Sequence, residues 1–252
     1  MPVEHGGWGF LLEPVVLGLI LAPTAAGWCI GAAALAAFLI RHPLKLVLMD
    51  RRRETWYPRT GLALRFALGY AGVALLLVSA AWLLARAPFW PALALGAPAA
   101  LVALVYDARG RSREALPEAA GAVALGASVS AIALAGGLPS GVAYGAWALL
   151  ALRAVPAVLF VRSRLRLDRG LPAAIPTALV SHVLAVAAGA GLAFVGWGPW
   201  LGVLALVLLL GRAIQGVSPG RAKLRPRDLG FREMGWGLLT LVLLAVGYRF
   251  GI

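Results

Sequence analysis

Four places in the chain carry residues able to do chemistry. The first, Glu4-His5-Gly6-Gly7-Trp8-Gly9, sets a carboxylate beside an imidazole, with Glu13-Pro14 close behind. Such groups exchange protons or ligate a metal, and the glycines let the backbone fold back closely on them. Pro14 cannot donate to a helix ladder, so it is expected to open a polar niche beside Glu13. The plainer alternative makes Trp8 an interfacial anchor and Glu13 a charge that offsets a helix N-terminus.

The second stretch is Arg41-His42-Pro43-Leu44-Lys45. On a helix Arg41, Lys45 and Arg52 share one face. Arg41 and His42 are expected about two turns below the membrane surface, where cations need counter-ions, for which Glu13, a phosphate or a lipid headgroup are candidates. The long stems of Arg41 and Lys45 could instead carry their charges to the interface. His42 lacks such a stem and reads as an acid–base or metal-ligand group, or as a buried hydrogen-bonded histidine.

In the third, Tyr106-Asp107-Ala108-Arg109-Gly110-Arg111-Ser112-Arg113-Glu114, three arginines alternate with small residues. Guanidinium forks at this spacing suit an oxyanion such as a diphosphate. Pro117 is placed to begin the next helix, with Glu118 in its first turn, where free N–H groups could also meet an anion. Asp107 and Glu118 set this segment apart from a merely basic loop. The fourth pair is Arg153 and His182, each in the middle of an apolar run. Arg153 is the deepest fixed charge and is expected to face the interior and pair with something, His182 being one possible neighbour.

These groups are positioned by apolar elements. The 252 residues are 62% hydrophobic and 13% charged, too little polar surface for a soluble domain of this length. Apolar runs near 9–26, 28–49, 63–85, 88–106, 117–136, 141–163, 171–195, 198–216 and 232–251 each suit one transmembrane helix. The expected fold is an all-α, polytopic bundle of about nine such helices in a single domain, 1–252. No charged n-region with a short apolar core and cleavage site is present, so no removable signal peptide is expected. The single Cys29 offers neither an intrachain disulfide nor a cysteine metal cluster.

The connections alternate in character. Odd-numbered ones are short and rich in Gly, Pro and Trp. Even-numbered ones and their flanks carry about twenty of the 23 Lys and Arg. The positive-inside rule therefore predicts a plasma-membrane protein with its N-terminus cytoplasmic and its C-terminus outside. The net charge of +13 follows from that topology and argues for contact with anionic lipids, not nucleic acid, with Pro219 to Arg227 the clearest lipid-facing basic segment. The acidic residues cluster at the same end, which topology does not require, and this predicts a polar cavity open to the cytoplasm.

The strings Glu4-His5-Gly6-Gly7-Trp8-Gly9, Arg41-His42-Pro43-Leu44-Lys45 and Tyr57-Pro58-Arg59 resemble those of the YwiC-like family of bacterial membrane proteins over essentially the whole chain. The helix number and the segment from Tyr106 to Gly126 are more distantly similar to the UbiA superfamily of intramembrane prenyltransferases. That second resemblance implies a transferase acting on an isoprenoid diphosphate held by Mg²⁺ on two aspartate-rich motifs. Here the first motif falls near His42, Leu46 and Asp50, so Asp50 is the acid retained. The second falls on Arg162-Ser163-Arg164-Leu165-Arg166-Leu167-Asp168, which is overwhelmingly basic and unsuited to a hard cation.

The expectation is thus an enzyme for a lipidic, isoprenoid or phosphorylated substrate, with no metal site assigned and the cofactor unknown. Arg41, Lys45, Asp107, Arg109, Arg111, Arg113, Glu118 and Arg153 would bind the substrate. Glu4, His5, Glu13, His42 and Asp50 would supply acid–base groups. A transporter with Arg153 and His182 at its midplane, and a non-catalytic subunit of a membrane complex, are the alternatives.

Overall fold

Inside hydrocarbon a backbone N–H or C=O finds no water, so each apolar run must satisfy its own hydrogen bonds and forms a helix. The computed structural model describes the backbone of residues 5–252 and the side chains of residues 7–252. Its helices are α1 (His5–Leu21), α2 (Ala25–Arg52), α3 (Pro58–Leu84), α4 (Trp90–Ala108), α5 (Ala115–Ala135), α6 (Ser140–Asp168), α7 (Ile175–Phe194), α8 (Trp200–Val217) and α9 (Pro226–Phe250). Among the described residues there is no strand. The eight helices α2 to α9 are long and apolar enough to cross a membrane, and α1 is a shorter apolar helix. The chain is an all-α, multi-pass membrane bundle.

Several helices outrun the hydrophobic spans that mark them. α2 continues to Arg52 and α6 to Asp168, so Arg51, Arg52, Arg162, Arg164 and Arg166 are helical residues, not loop residues. Pro58 and Pro226 start α3 and α9 ahead of their apolar runs, since Pro suits the first turn. Apolar length reports the thickness of hydrocarbon, whereas Arg, Lys and Glu are good helix formers that carry the ladder into the interface. Pro14, Pro43, Pro98 and Pro156 all lie within helices without ending them.

α5 is the packing axis. Every residue from Gly126 to Ala135 is buried, and α1, α2, α4 and α6 all lie against this helix. Small residues permit the approach. A Cβ on Gly96 would stand 2.8 Å from that of Ala127, and one on Gly18 would stand 2.9 Å from that of Ile132. α1 bridges α5 and α9, α6 to α9 pack in sequence, and α3 packs chiefly on α2. The outer face of α3 exposes Phe66, Leu75, Leu76 and Leu83, as a lipid-facing surface does.

The even-numbered connections share one end of the bundle and are tied together there. Lys45 donates to Ser112 at 2.7 Å, and Arg162 donates to the Arg113 carbonyl at 2.6 Å. Buried Arg164 donates to the carbonyls of Gly216 and Ala222 and pairs with Asp168 at 3.1 Å. The opposite end is closed by backbone contacts, including Arg86 N–H to the Ala135 carbonyl at 2.8 Å. The Tyr248 hydroxyl donates to the Trp197 carbonyl there at 3.0 Å.

Candidate functional site

At the basic end, α4 stops in a tight turn. Gly110 takes a left-handed conformation (φ +72°), which lets the Arg111 N–H return to the Tyr106 carbonyl at 2.9 Å. The turn throws Arg111, Ser112 and Arg113 across the end of α2. Behind it the guanidinium of Arg41 grips buried Asp107 through two bonds, Nε to Oδ2 at 2.6 Å and Nη2 to Oδ1 at 3.1 Å. This fork-on-carboxylate geometry is strong and directional, and it locks α2 to α4.

In front lies a cleft of about 550 Å³ lined by Lys45, Gly110, Arg111, Ser112, Arg113 and Glu114. Three cations face one carboxylate. Glu114 is paired with Arg111, whose guanidinium also lies over the Tyr106 ring at 5.4 Å. Hydrogen bonding to Glu114 pushes the pKa of Arg111 further up, so its charge is permanent. The ammonium of Lys45 is held by the Ser112 hydroxyl, a neutral partner, so its charge is not cancelled. Glu118 meets Arg162 at 3.3 Å beside the cleft. A wall of three cations does not suit Mg²⁺, which requires oxygen ligands, but it does suit an oxyanion.

A second polar group lies inside the bundle. Arg153 of α6, 4% exposed, faces Glu13 of α1 at 3.2 Å and donates to the Glu233 carbonyl of α9 at 3.3 Å. Its guanidinium is also 5.5 Å from the centre of the Phe10 ring. Glu233 in turn accepts from Arg212 of α8 at 2.8 Å. Arg212 lies over the Phe160 ring at 4.2 Å, and the His182 ring of α7 meets the same phenyl edge-on at 6.4 Å. Gly237 makes room for the first pair, because a Cβ there would collide with the Glu13 carboxylate and with Arg153.

The residues singled out in the sequence therefore separate into two places. Arg41, Lys45, Asp107, Arg111 and Arg113 build the cleft, and Glu118 stands at its side. Glu13 and Arg153 belong to the interior. Glu13 serves Arg153, and Asp107 rather than Glu13 is the acid that grips Arg41. His182 lies with Arg212 and Phe160, and its Nδ1 bonds the Ala178 carbonyl at 2.7 Å. Arg109 and His42 are exposed and do not line the cleft.

Asp50, 2% exposed, accepts from Thr60 at 2.7 Å and from Arg59 at 3.5 Å, pinning the turn between α2 and α3. Glu4 lies outside the described residues, and of His5 only the backbone, at the start of α1, is described. The sequence did not single out Arg212 and Glu233. Both lie within two turns of the basic end, where charge is ordinary, and the only hint was the apolar run that precedes Arg212.

Residues 1–135 match the family described as YwiC-like protein. The chain belongs to the YwiC-like family. No curated protein and no solved structure matches it. The matched part runs from α1 through α5 and contains the whole lining of the cleft, whereas Arg153, Arg212 and Glu233 lie beyond it.

Proposed function

We propose that this YwiC-like protein binds the phosphorylated head of a lipidic, isoprenoid-type substrate in the cleft between α2 and the α4–α5 turn, as a UbiA-like, prenyltransferase-like enzyme. The observation that carries the reading is the set of three cations, Lys45, Arg111 and Arg113, around about 550 Å³, with Lys45 held by a hydroxyl instead of a carboxylate. Ser112 adds a hydroxyl that can donate to a phosphate oxygen, and the Arg41–Asp107 fork fixes the wall from behind.

Such a site stabilises charge that develops on a departing phosphate or diphosphate without a metal ion. Lys45 is held by Ser112 and Arg111 by Glu114 before any bond breaks, which lowers the reorganisation that opposes the step. The basic end would face the cytoplasm of the plasma membrane, with the C-terminus outside. Lys223, Arg225 and Arg227, on the segment anchored by Arg164 and Asp168, would meet anionic lipids there.

The test is the thermal midpoint of the detergent-purified protein with farnesyl diphosphate, in Mg²⁺ and in EDTA. A ligand at a hundred times its Kd stabilises the folded state by about 2.7 kcal/mol. Stabilisation that persists in EDTA and is lost in Lys45→Ala is expected. Stabilisation only with Mg²⁺ would overturn the metal-free cleft, and no shift in either buffer would overturn the ligand class.

A further inference from the structure

We propose that the interior of the bundle holds a second binding site, built on the free edge of Arg212, that takes a carboxylate. Arg212 uses Nη1 on Glu233 and sits over the Phe160 ring at 4.2 Å, two contacts that hold the guanidinium in place. Its Nε and Nη2 are buried and have no hydrogen-bond partner. Those two atoms form the side-on fork of a guanidinium, whose parallel N–H vectors match the two oxygens of a carboxylate.

The neighbouring atoms point the same way. Arg153 Nε is also buried without a partner, and the orphaned acceptors of this group are Glu233 Oε2 and His182 Nε2, since His182 Nδ1 carries the proton that it donates to the Ala178 carbonyl. Orphaned guanidinium donors thus outnumber orphaned acceptors, which favours a ligand that accepts and disfavours a cation. Glu13, Arg153, Glu233 and Arg212 carry two charges of each sign and sum to zero. A multiply charged phosphate would leave a large uncompensated charge in a low-dielectric interior. A monoanion leaves a single unit, the least an anion can, and sets it on the free donors of Arg212. The site therefore differs in chemistry from the cleft, where cations outnumber acids.

Arg212 is five residues from the end of α8, and His182 and Glu233 are each seven residues from the start of α7 and α9. At 1.5 Å per residue the group sits roughly 10 Å below the basic end. A fatty acid in the leaflet and a small acid from the aqueous side both present a carboxylate at such a depth.

The experiment measures thermal midpoints of the full-length protein in detergent with sodium acetate against sodium chloride at equal ionic strength, and with decanoate against decanol. A saturable rise with acetate or decanoate, absent with chloride and decanol, is expected. Acetate acting alone would identify a small aqueous acid, and decanoate acting alone a fatty acid. Arg212→Lys keeps a charge facing Glu233 but loses the fork, and should weaken the affinity roughly tenfold or more. Arg153→Lys, which keeps a charge facing Glu13, should weaken it in the same direction and serves if Arg212→Lys does not fold. Lys45→Ala should leave the carboxylate response intact while losing the diphosphate response, so the two sites fail separately. No response to either carboxylate, a response kept in both lysine variants, or one lost in Lys45→Ala would overturn the proposal.

Discussion

Replacing Glu13 by Gln keeps the volume of the side chain but removes the charge that faces Arg153 at 3.2 Å. At an effective dielectric of about 20, two unit charges at that distance attract by roughly 5 kcal/mol. Water does not refund that loss, because the Arg153 side chain is only 4% exposed and keeps just the Glu233 carbonyl and the face of Phe10. Removing one member of a buried pair typically costs about 3–5 kcal/mol. A glutamine carbonyl can still accept one hydrogen bond, which puts Glu13→Gln near the lower end, about 3 kcal/mol. Arg153→Met strands the Glu13 carboxylate with no such relief and belongs near the upper end.

The double variant leaves neither charge, so it should be more stable than the sum of the single losses by roughly 2 kcal/mol or more. For a chain of this size a loss of about 3 kcal/mol lowers the thermal midpoint by roughly 6–12 °C. Tryptophan fluorescence on heating in detergent gives all four midpoints of the cycle. Strict additivity, or single variants within about 0.5 kcal/mol of the parent, would refute the assignment of this pair.

Gly237→Ala places a methyl group against the Glu13 carboxylate and Arg153, so it should cost about 1–3 kcal/mol as overpacking. The same change at Gly235, where a Cβ meets nothing within 4 Å, should be close to neutral, and thermal midpoints compare the two. Thr60→Ala removes both the bond to Asp50 at 2.7 Å and the cap on the Tyr57 N–H at 3.1 Å. Its expected cost is about 1–2 kcal/mol, with faster limited proteolysis in the turn at 53–57. His42→Ala should leave the midpoint within about 0.5 kcal/mol and diphosphate binding unchanged, because His42 is exposed and does not line the cleft. A loss of binding in that variant would put the imidazole in the site.

The helices were legible because a bilayer demands long apolar segments, and the alternation of tryptophan-rich and arginine-rich connections placed them in order. Their ends were not. Arg51, Arg52 and Arg162 to Arg166 look like loop residues, yet they continue α2 and α6, since charge ends hydrophobicity and not helicity. The cleft was legible in part, because Arg111, Ser112 and Arg113 lie together in sequence and Lys45 lies one turn from Arg41.

Partners were another matter. Glu13 and Arg153 are separated by most of five helices, and nothing in one sequence says which acid meets which arginine. His42 shows the complementary limit. Successive helical residues point about 100° apart, so adjacency to Arg41 did not bring the imidazole to the cleft. Arg212 and Glu233 escaped notice because a charge near the basic end reads as surface until packing shows it buried.

The cleft carries the proposed function, and an equilibrium isotherm of radiolabelled farnesyl diphosphate with the protein in nanodiscs, in EDTA, tests it most directly. The wild-type chain should bind saturably at one site. The Lys45→Ala, Arg111→Ala, Arg113→Ala triple variant should bind at least tenfold more weakly while staying folded, with about 1–3 kcal/mol of stability lost for the Lys45–Ser112 bond and the exposed Arg111–Glu114 pair. Equal binding by the two proteins, or no binding by either, would contradict the claim that these three cations hold a phosphorylated head.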